Sequence, residues 1–259
     1  MDDNSVTLSS GAALPLLGFG TWQLQGQAAY DAVRHALDVG YRHLDTAAIY
    51  RNEEQVGRAL RESGVPREEV FLTTKIPPRE AGRERATLST SLAALGVDRL
   101  DLWLIHWPGG AGADLGMWQA LIAAAEDGLT RDIGVSNYSA AQVDELVARS
   151  GRAPAVNQIR WSPALFDPAR LAHSRDRGVV LEGYSPFLTS DLSDPVLAEV
   201  AAAHGVSPAQ AVLRWHLDHG VVVIPKSATP ARIAANFDVF GFSLTRQELA
   251  RLDALSRAA

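Results

Sequence analysis

Gly40-Tyr41-Arg42-His43-Leu44-Asp45-Thr46-Ala47-Ala48-Ile49-Tyr50-Arg51-Asn52-Glu53 joins a strand to a helix through a loop that carries reactive groups. Tyr41 to Leu44 has the character of a short strand. From Glu53 to Arg61 the apolar residues Val56 and Leu60 have helical spacing, and Asn52 is placed to cap that helix. The residues between them hold an acid, Asp45, and a phenol, Tyr50, where α/β proteins keep chemistry. Singly, Asp45 is explained by a turn and Tyr50 by packing, so the weight falls on what the rest of the chain adds.

On the N-terminal side, Val6 to Ser9 and Ala13 to Leu16 flank Ser10-Gly11-Ala12 and predict a small hairpin, followed by Gly18-Phe19-Gly20-Thr21-Trp22. On the C-terminal side, apolar runs at Phe71 to Thr74, Leu100 to Ile105, Asp132 to Val135, Ala155 to Ile159, Val179 to Leu181 and Val221 to Ile224 alternate with amphipathic stretches of helical length. The first of those stretches, Ala28 to Val39, precedes the quoted loop; others include Arg83 to Leu95, Met117 to Glu126, Ala140 to Ala148, Ala169 to Arg177 and Pro195 to Ala203. Regular strand-then-helix order implies parallel strands, and the repeat count predicts a (β/α)8 TIM barrel with an N-terminal β-hairpin. The competing open, doubly wound sheet calls for Gly-x-Gly-x-x-Gly after its first strand. Gly18-Phe19-Gly20-Thr21-Trp22-Gln23 fails that pattern at its last position, and Gly109-Gly110-Ala111-Gly112 lacks the spacing.

A chain of 259 residues, 47% hydrophobic, is long enough to form one such barrel, so residues 1–259 are expected to be a single domain. A net charge of -6 without a long basic run argues against nucleic acid or an anionic membrane as partner. The absence of cysteine removes disulfides, thiolate metal sites and a cysteine nucleophile, and fits a reducing compartment. Met1-Asp2-Asp3-Asn4 is acidic, and no apolar run approaches the roughly 18 residues of a membrane span. A cytoplasmic monomer is expected.

Active groups of such barrels gather at the C-terminal ends of the strands, and the sequence places polar residues there. Asp45 ends the second strand, Lys75 the third, His106 the fourth, Ser136-Asn137 the fifth, Gln158 the sixth, Tyr184-Ser185 the seventh and Lys226-Ser227 the eighth. Taken together with their surroundings, these residues resemble the aldo-keto reductases. The Gly40 to Glu53 stretch looks like that family's first signature. Asp45, Tyr50, Lys75 and His106 match its catalytic tetrad in order, and Ile224-Pro225-Lys226-Ser227-Ala228-Thr229-Pro230-Ala231-Arg232-Ile233-Ala234-Ala235-Asn236 looks like its C-terminal signature. The short connection after Trp107-Pro108 and the early end after the Thr245 to Leu255 helix are similar to the bacterial short-loop type, such as 2,5-diketo-D-gluconate reductases.

The resemblance implies reduction of an aldehyde or ketone, with hydride from a nicotinamide dinucleotide and a proton from Tyr50. A free phenol titrates near pH 10, so a neighbouring cation, Lys75, would favour its ionised form. Asp45 would hold that buried ammonium, and a neutral His106 would orient the substrate oxygen. The resemblance further assigns Tyr184 to stack on the nicotinamide and Ser136, Asn137 and Gln158 to bond its carboxamide, with Gly20, Thr21, Asp45, Ser185 and Phe187 also lining the cofactor. Lys226, Ser227 and Arg232 would take the 2′-phosphate, which implies NADPH, and Asn236 the adenine end. Trp22 and Trp107, with Tyr50 and His106, would form the pocket for a small carbonyl substrate, its mouth open and its selectivity broad.

One departure stands out. Where the family has Glu and His after the sixth strand, Asn157-Gln158-Ile159-Arg160-Trp161-Ser162-Pro163 places Arg160 and Ser162. No metal is expected: His216 and His219 lack a third ligand and read as surface residues. Two other readings remain at this stage, a Schiff-base lyase using Lys75 and an NADPH-binding sensor similar to the potassium-channel β subunits.

Overall fold

The computed structural model describes residues 4–256; the acidic start Met1-Asp2-Asp3 lies outside them. The chain opens with an antiparallel hairpin, β1 (Ser5–Thr7) and β2 (Ala13–Pro15). The alternating part follows as β3 (Phe19–Gly20), α1 (Gly26–Val39), β4 (His43–Asp45), α2 (Glu53–Glu62), β5 (Phe71–Ile76), α3 (Glu84–Leu95), β6 (Leu100–Ile105) and α4 (Leu115–Glu126). It continues as β7 (Thr130–Ser136), α5 (Ala140–Ser150), β8 (Val156–Arg160), α6 (Pro168–Asp176), β9 (Val180–Tyr184), α7 (Pro195–Ala203), α8 (Pro208–Asp218), β10 (Val222–Ile224), α9 (Pro230–Phe237) and α10 (Arg246–Asp253).

Strands β3 to β10 pair in chain order, all parallel, in one eight-stranded sheet. The two ends of the sheet meet: Gly18 donates to the Val223 carbonyl at 2.9 Å, Val223 to the Leu16 carbonyl at 2.8 Å, and Gly20 to the Pro225 carbonyl at 3.1 Å. This seam demands glycine. A Cβ on Gly20 would lie 2.8 Å from the Ile224 carbonyl oxygen, and one on Gly18 would lie 2.4 Å from His43 Nδ1. The hairpin packs against the N-terminal end of the barrel, where Ser10 donates to Asp132 Oδ2 at 2.7 Å.

The eightfold barrel and the hairpin agree with the sequence reading, and Leu100 to Ile105 and Pro195 to Ala203 have the expected bounds. Two local expectations need correction. Asn52 occupies the N-cap position of α2 but makes no capping bond. Its amide donates to the carbonyls of Thr21 and Leu24, both at 2.9 Å, and its oxygen accepts from Thr46 at 2.7 Å. It therefore ties the β3 loop to the β4 loop from a fully buried position. His216, read as a surface residue, is also buried, its ring nitrogens facing the carbonyls of Val212 and Trp161, while His219 pairs with Asp253. No single described helix is long and apolar enough to cross a membrane; α7 and α8 pass only as a pair bent by 82°, and their apolar residues are buried in the barrel's outer layer.

Replacing Asn52 by Ala would take the amide partner from the Leu24 carbonyl and the Thr46 hydroxyl in a site closed to water, while the Thr21 carbonyl keeps the Leu24 N–H at 3.1 Å. Unmet buried polar groups of this kind cost about 1–3 kcal/mol each. Asn52→Ala should lower unfolding stability by at least about 2 kcal/mol, measured by urea denaturation. A loss within experimental error would show that the two loops hold each other without it.

Candidate active site

Register explains how four distant residues meet. Asp45 pairs with Thr73 across β4 and β5, and Lys75 pairs with Leu104 across β5 and β6, so Asp45, Lys75 and His106 climb neighbouring strands at the same end of the barrel. Tyr50 closes a short 3-10 turn, Ala48–Tyr50, in the loop after β4. Lys75 is fully buried, and its Nζ donates to Asp45 Oδ1 at 2.6 Å and to the Thr46 carbonyl at 2.9 Å. The same Nζ lies 5.1 Å from the Tyr50 ring centroid, and the Tyr50 ring stands edge-on to His106 with centroids 5.6 Å apart.

Burial pushes the Asp45 carboxyl up, while Lys75 and Gln158 pull it down. Burial pulls Lys75 down, but Asp45 and Tyr50 oppose this and leave it raised. These two directions disagree about whether the pair is charged. The geometry favours the charged form, because Asp45 accepts from Lys75 at 2.6 Å and from Gln158 Nε2 at 2.8 Å. Tyr50 corrects the sequence expectation: burial raises its phenol more than Lys75 lowers it, so the group is protonated at neutral pH. Burial, with Lys75 second, lowers His106 to about 3 and keeps its ring neutral.

A second polar layer, missed in the sequence, lies directly beneath. His43, Thr73 and Glu182 each stand two residues before a site residue, namely Asp45, Lys75 and Tyr184, and alternate strand residues face the same way. His43 Nε2 lies 3.3 Å from the Thr73 hydroxyl and 3.6 Å from Glu182 Oε1. Glu182 is fully buried, and neither of its carboxyl oxygens has a hydrogen-bond partner of normal geometry. Burial, with Asp45 adding to it, lifts Glu182 to about 8. Of two carboxyls near one ammonium, the one supplied with donors is ionised and the other keeps its proton. Counting back by two along each inward-facing strand is the signal that would have found this layer.

Above the tetrad opens a cavity of about 490 Å³, within the usual range of small-molecule sites. Its walls include Tyr50, His106, Tyr184 and Arg160, and its rim carries the exposed Trp22 and Trp107. The residues assigned to a nicotinamide are linked to one another: Ser136 donates to the Gln158 carbonyl, Asn137 to the His106 carbonyl, and the Tyr184 hydroxyl to Asn137 Oδ1 at 2.7 Å. Gly20, Ser185, Phe187 and Lys226 also line the cavity. Thr21, between the lining residues Gly20 and Trp22, is fully buried with its hydroxyl donating to the Asp45 carbonyl, which ties the end of β3 to β4. Ser227, Arg232 and Asn236 lie beyond the cavity around α9, with Ser227 Oγ accepting from Thr229 N and Asn236 mostly buried. Ser162 is buried against the Thr189 hydroxyl at 2.7 Å.

Backbone strain collects here too. Among the described residues, the non-glycine positions with positive φ are Gln23, Arg51, Asn137 and Ser185. Three of them line the cavity and the fourth follows Tyr50.

The family model described as the aldo/keto reductase family matches residues 16–257. The chain belongs to that family. Members of the aldo/keto reductase family are oxidoreductases acting on carbonyl groups. Across 97% of its length this chain is 44% identical to an aldo-keto reductase of Mycolicibacterium vanbaalenii, covering 91% of that protein. It is 40% identical, over 97% of itself and 93% of the relative, to methylglyoxal reductase DkgA of Escherichia coli. The crystal structure of a Bombyx mori aldo-keto reductase in complex with NADP superimposes with a TM-score of 0.92 at 35% identity, covering 97% of this chain and 92% of that one.

Glu182 makes stability depend on pH in this aldo/keto reductase. An unfolded glutamate loses its proton near 4.5, whereas the folded one holds it to about 8. Between these values the folded state carries a proton that the unfolded state lacks, so Glu182 costs stability as pH rises. Glu182→Gln, which keeps the shape and cannot ionise, should gain stability relative to the parent chain between pH 5 and pH 8. Urea unfolding at both pH values checks this, and an unchanged difference would place Glu182 in its ionised form throughout.

Proposed function

We propose that this chain is an NADPH-dependent reductase of aldehydes and ketones, with Tyr50 as the proton donor and residues 1–259 acting as one barrel domain. The observation that carries this reading is the buried Lys75–Asp45 contact of 2.6 Å beneath a phenol and a neutral imidazole that share one cavity. Tyr50 enters the reaction protonated, as a general acid must. As the proton leaves, the Lys75 ammonium stabilises the phenolate, and Asp45 keeps Lys75 charged and fixed. His106, neutral, donates from its ring to the carbonyl oxygen and steadies the negative charge that develops there. Trp22 and Trp107 hold the carbon skeleton at the rim.

The residues present fit a nicotinamide dinucleotide. Tyr184 turns a half-buried ring into the cavity beside the Ser136, Asn137 and Gln158 amide and hydroxyl groups. Lys226 and Arg232 are exposed around the start of α9, and among the described residues neither has a carboxylate within 4.0 Å. Two unpaired cations and a helix N-terminus suit a 2′-phosphate. When bound, the cofactor supplies the hydride, which no side chain can carry. Ser185, Phe187 and Gly20 would shape its passage, and Ser227 and Asn236 its far end. A Schiff-base role for Lys75 is disfavoured, because an ammonium held by a carboxylate is not a nucleophilic amine. The similarity to a methylglyoxal reductase supports small aldehydes and dicarbonyls as substrates.

Tyr50→Phe should bind NADPH nearly normally, by fluorescence titration, while turnover of methylglyoxal falls by on the order of 10² or more. Turnover close to that of the parent would remove Tyr50 from the chemistry. Arg232→Ala should raise the Kd for NADPH by on the order of tenfold and leave that for NADH nearly unchanged. Equal losses for both cofactors would move the 2′-phosphate elsewhere.

A further inference from the structure

Arg160 is the cation that the reductase chemistry leaves unused. It ends β8 with an exposed side chain on the wall of the tetrad's cavity. Among the described residues, no carboxylate lies within 4.0 Å of its guanidinium. Its neighbour is the Tyr184 phenol, which burial raises and the facing Arg160 pulls back down. Asp45 is the acid on the cavity wall, and its charge is already spent on Lys75. The cavity is thus positive inside a chain of net charge -6.

Strand order separates this cation from the one assigned to the cofactor. Around the barrel mouth Lys226 follows β10, Tyr184 ends β9, Arg160 ends β8, Asn137 follows β7, and His106 and Trp107 follow β6. Tyr184 therefore stands between Lys226 and Arg160, with Arg160 on the side of His106 and Trp107. A run of polar contacts joins the two: Asn137 donates to the His106 carbonyl at 3.2 Å and accepts from the Tyr184 hydroxyl at 2.7 Å, and Arg160 faces that hydroxyl.

Resting on the reductase reading above, we propose that Arg160 binds an anionic group of the substrate, so that the chain prefers carbonyl compounds bearing a carboxylate set apart from the carbonyl by a spacer. The spacing follows from strand order. Arg160 ends β8, two strands from β6, after which His106 stands, and neighbouring strands lie about 4.8 Å apart, so a carbonyl oxygen at His106 is roughly 10 Å from that strand end, which suits a carboxylate across an aromatic ring or a short chain rather than one bonded to the carbonyl carbon. A guanidinium offers five N–H donors in a planar fork matched to a carboxylate. Phosphate oxygens of the dinucleotide share that chemistry, and the experiment separates the two sources.

The probes are 4-carboxybenzaldehyde and its neutral counterpart methyl 4-formylbenzoate, compared in the parent chain, Arg160→Met and Arg160→Lys. The parent should favour the acid, and the ratio of kcat/KM for acid over ester should fall about tenfold in Arg160→Met, mainly through KM, as expected for loss of one charge-assisted contact. Arg160→Lys should restore part of the preference, and added salt should weaken the acid alone. The Kd for NADPH should stay the same in all three. A ratio unchanged in Arg160→Met overturns the proposal, and so does a roughly tenfold weaker NADPH Kd there, which would make Arg160 a cofactor contact. Binding of 4-(hydroxymethyl)benzoate and of its methyl ester, followed by tryptophan fluorescence, reads the same preference without turnover. If neither aldehyde is reduced yet the acid still binds more tightly through Arg160, the anion site stands and the reductase reading falls.

Discussion

A lysine with no access to water keeps its charge only if something else in the interior carries the opposite one, and the 2.6 Å contact between Lys75 and Asp45 meets that condition. Most of the barrel mouth can be read as support for this contact. Gln158 and Lys75 occupy the two oxygens of Asp45, the Thr46 carbonyl takes a second ammonium proton, and Thr21 fastens the Asp45 backbone to β3. Breaking such a pair from one side typically costs about 3–5 kcal/mol, because the remaining charge is stranded. The pair is thus a poor device for stability and a good one for chemistry, since it holds a fixed positive charge beside the Tyr50 ring without solvent to screen it.

The same ammonium sorts the groups around it into charged and neutral. Asp45, supplied with donors, is the anion; Glu182, one layer lower, keeps its proton because burial and Asp45 outweigh the pull of Lys75 and Gln158; His43 and His106 are held neutral, both near 3, by burial and by Lys75 itself. Around this single cation in a dry interior, Tyr50 faces the cavity as a protonated phenol. The layer beneath also has a steric requirement: Gly18 leaves the room that the His43 ring fills.

Much of this was legible in the sequence because barrel strands put their reactive residues at a known end. Asp45, Lys75 and His106 could be placed from strand ends alone, and strand and helix order gave the closed sheet. Asn52 was misread because a local rule, capping, was applied to a residue whose partners lie about 30 positions away. The inward hydrogen bond of Thr21 to the Asp45 carbonyl was out of reach for the same reason: its position beside the mouth was visible, its partner 24 residues away was not. Glu182 escaped notice since a lone acid in an apolar strand looks like any solvent-facing alternation until the sheet closes around it. The net direction at Tyr50 needed a balance between burial and a nearby cation, and only coordinates supply the first of these.

The four left-handed backbone positions at Gln23, Arg51, Asn137 and Ser185 set the path of the chain where the loops leave the strands. Because that path is fixed by neighbours that force an unfavourable twist, the loops cannot readily drift, whereas the side chains they display can be exchanged. Trp22, Trp107 and Leu188 at the mouth are exposed, so exchanging them removes little buried packing. New substrate tastes are accordingly open to this scaffold through single exchanges at the rim, with the buried Lys75–Asp45 pair below left undisturbed.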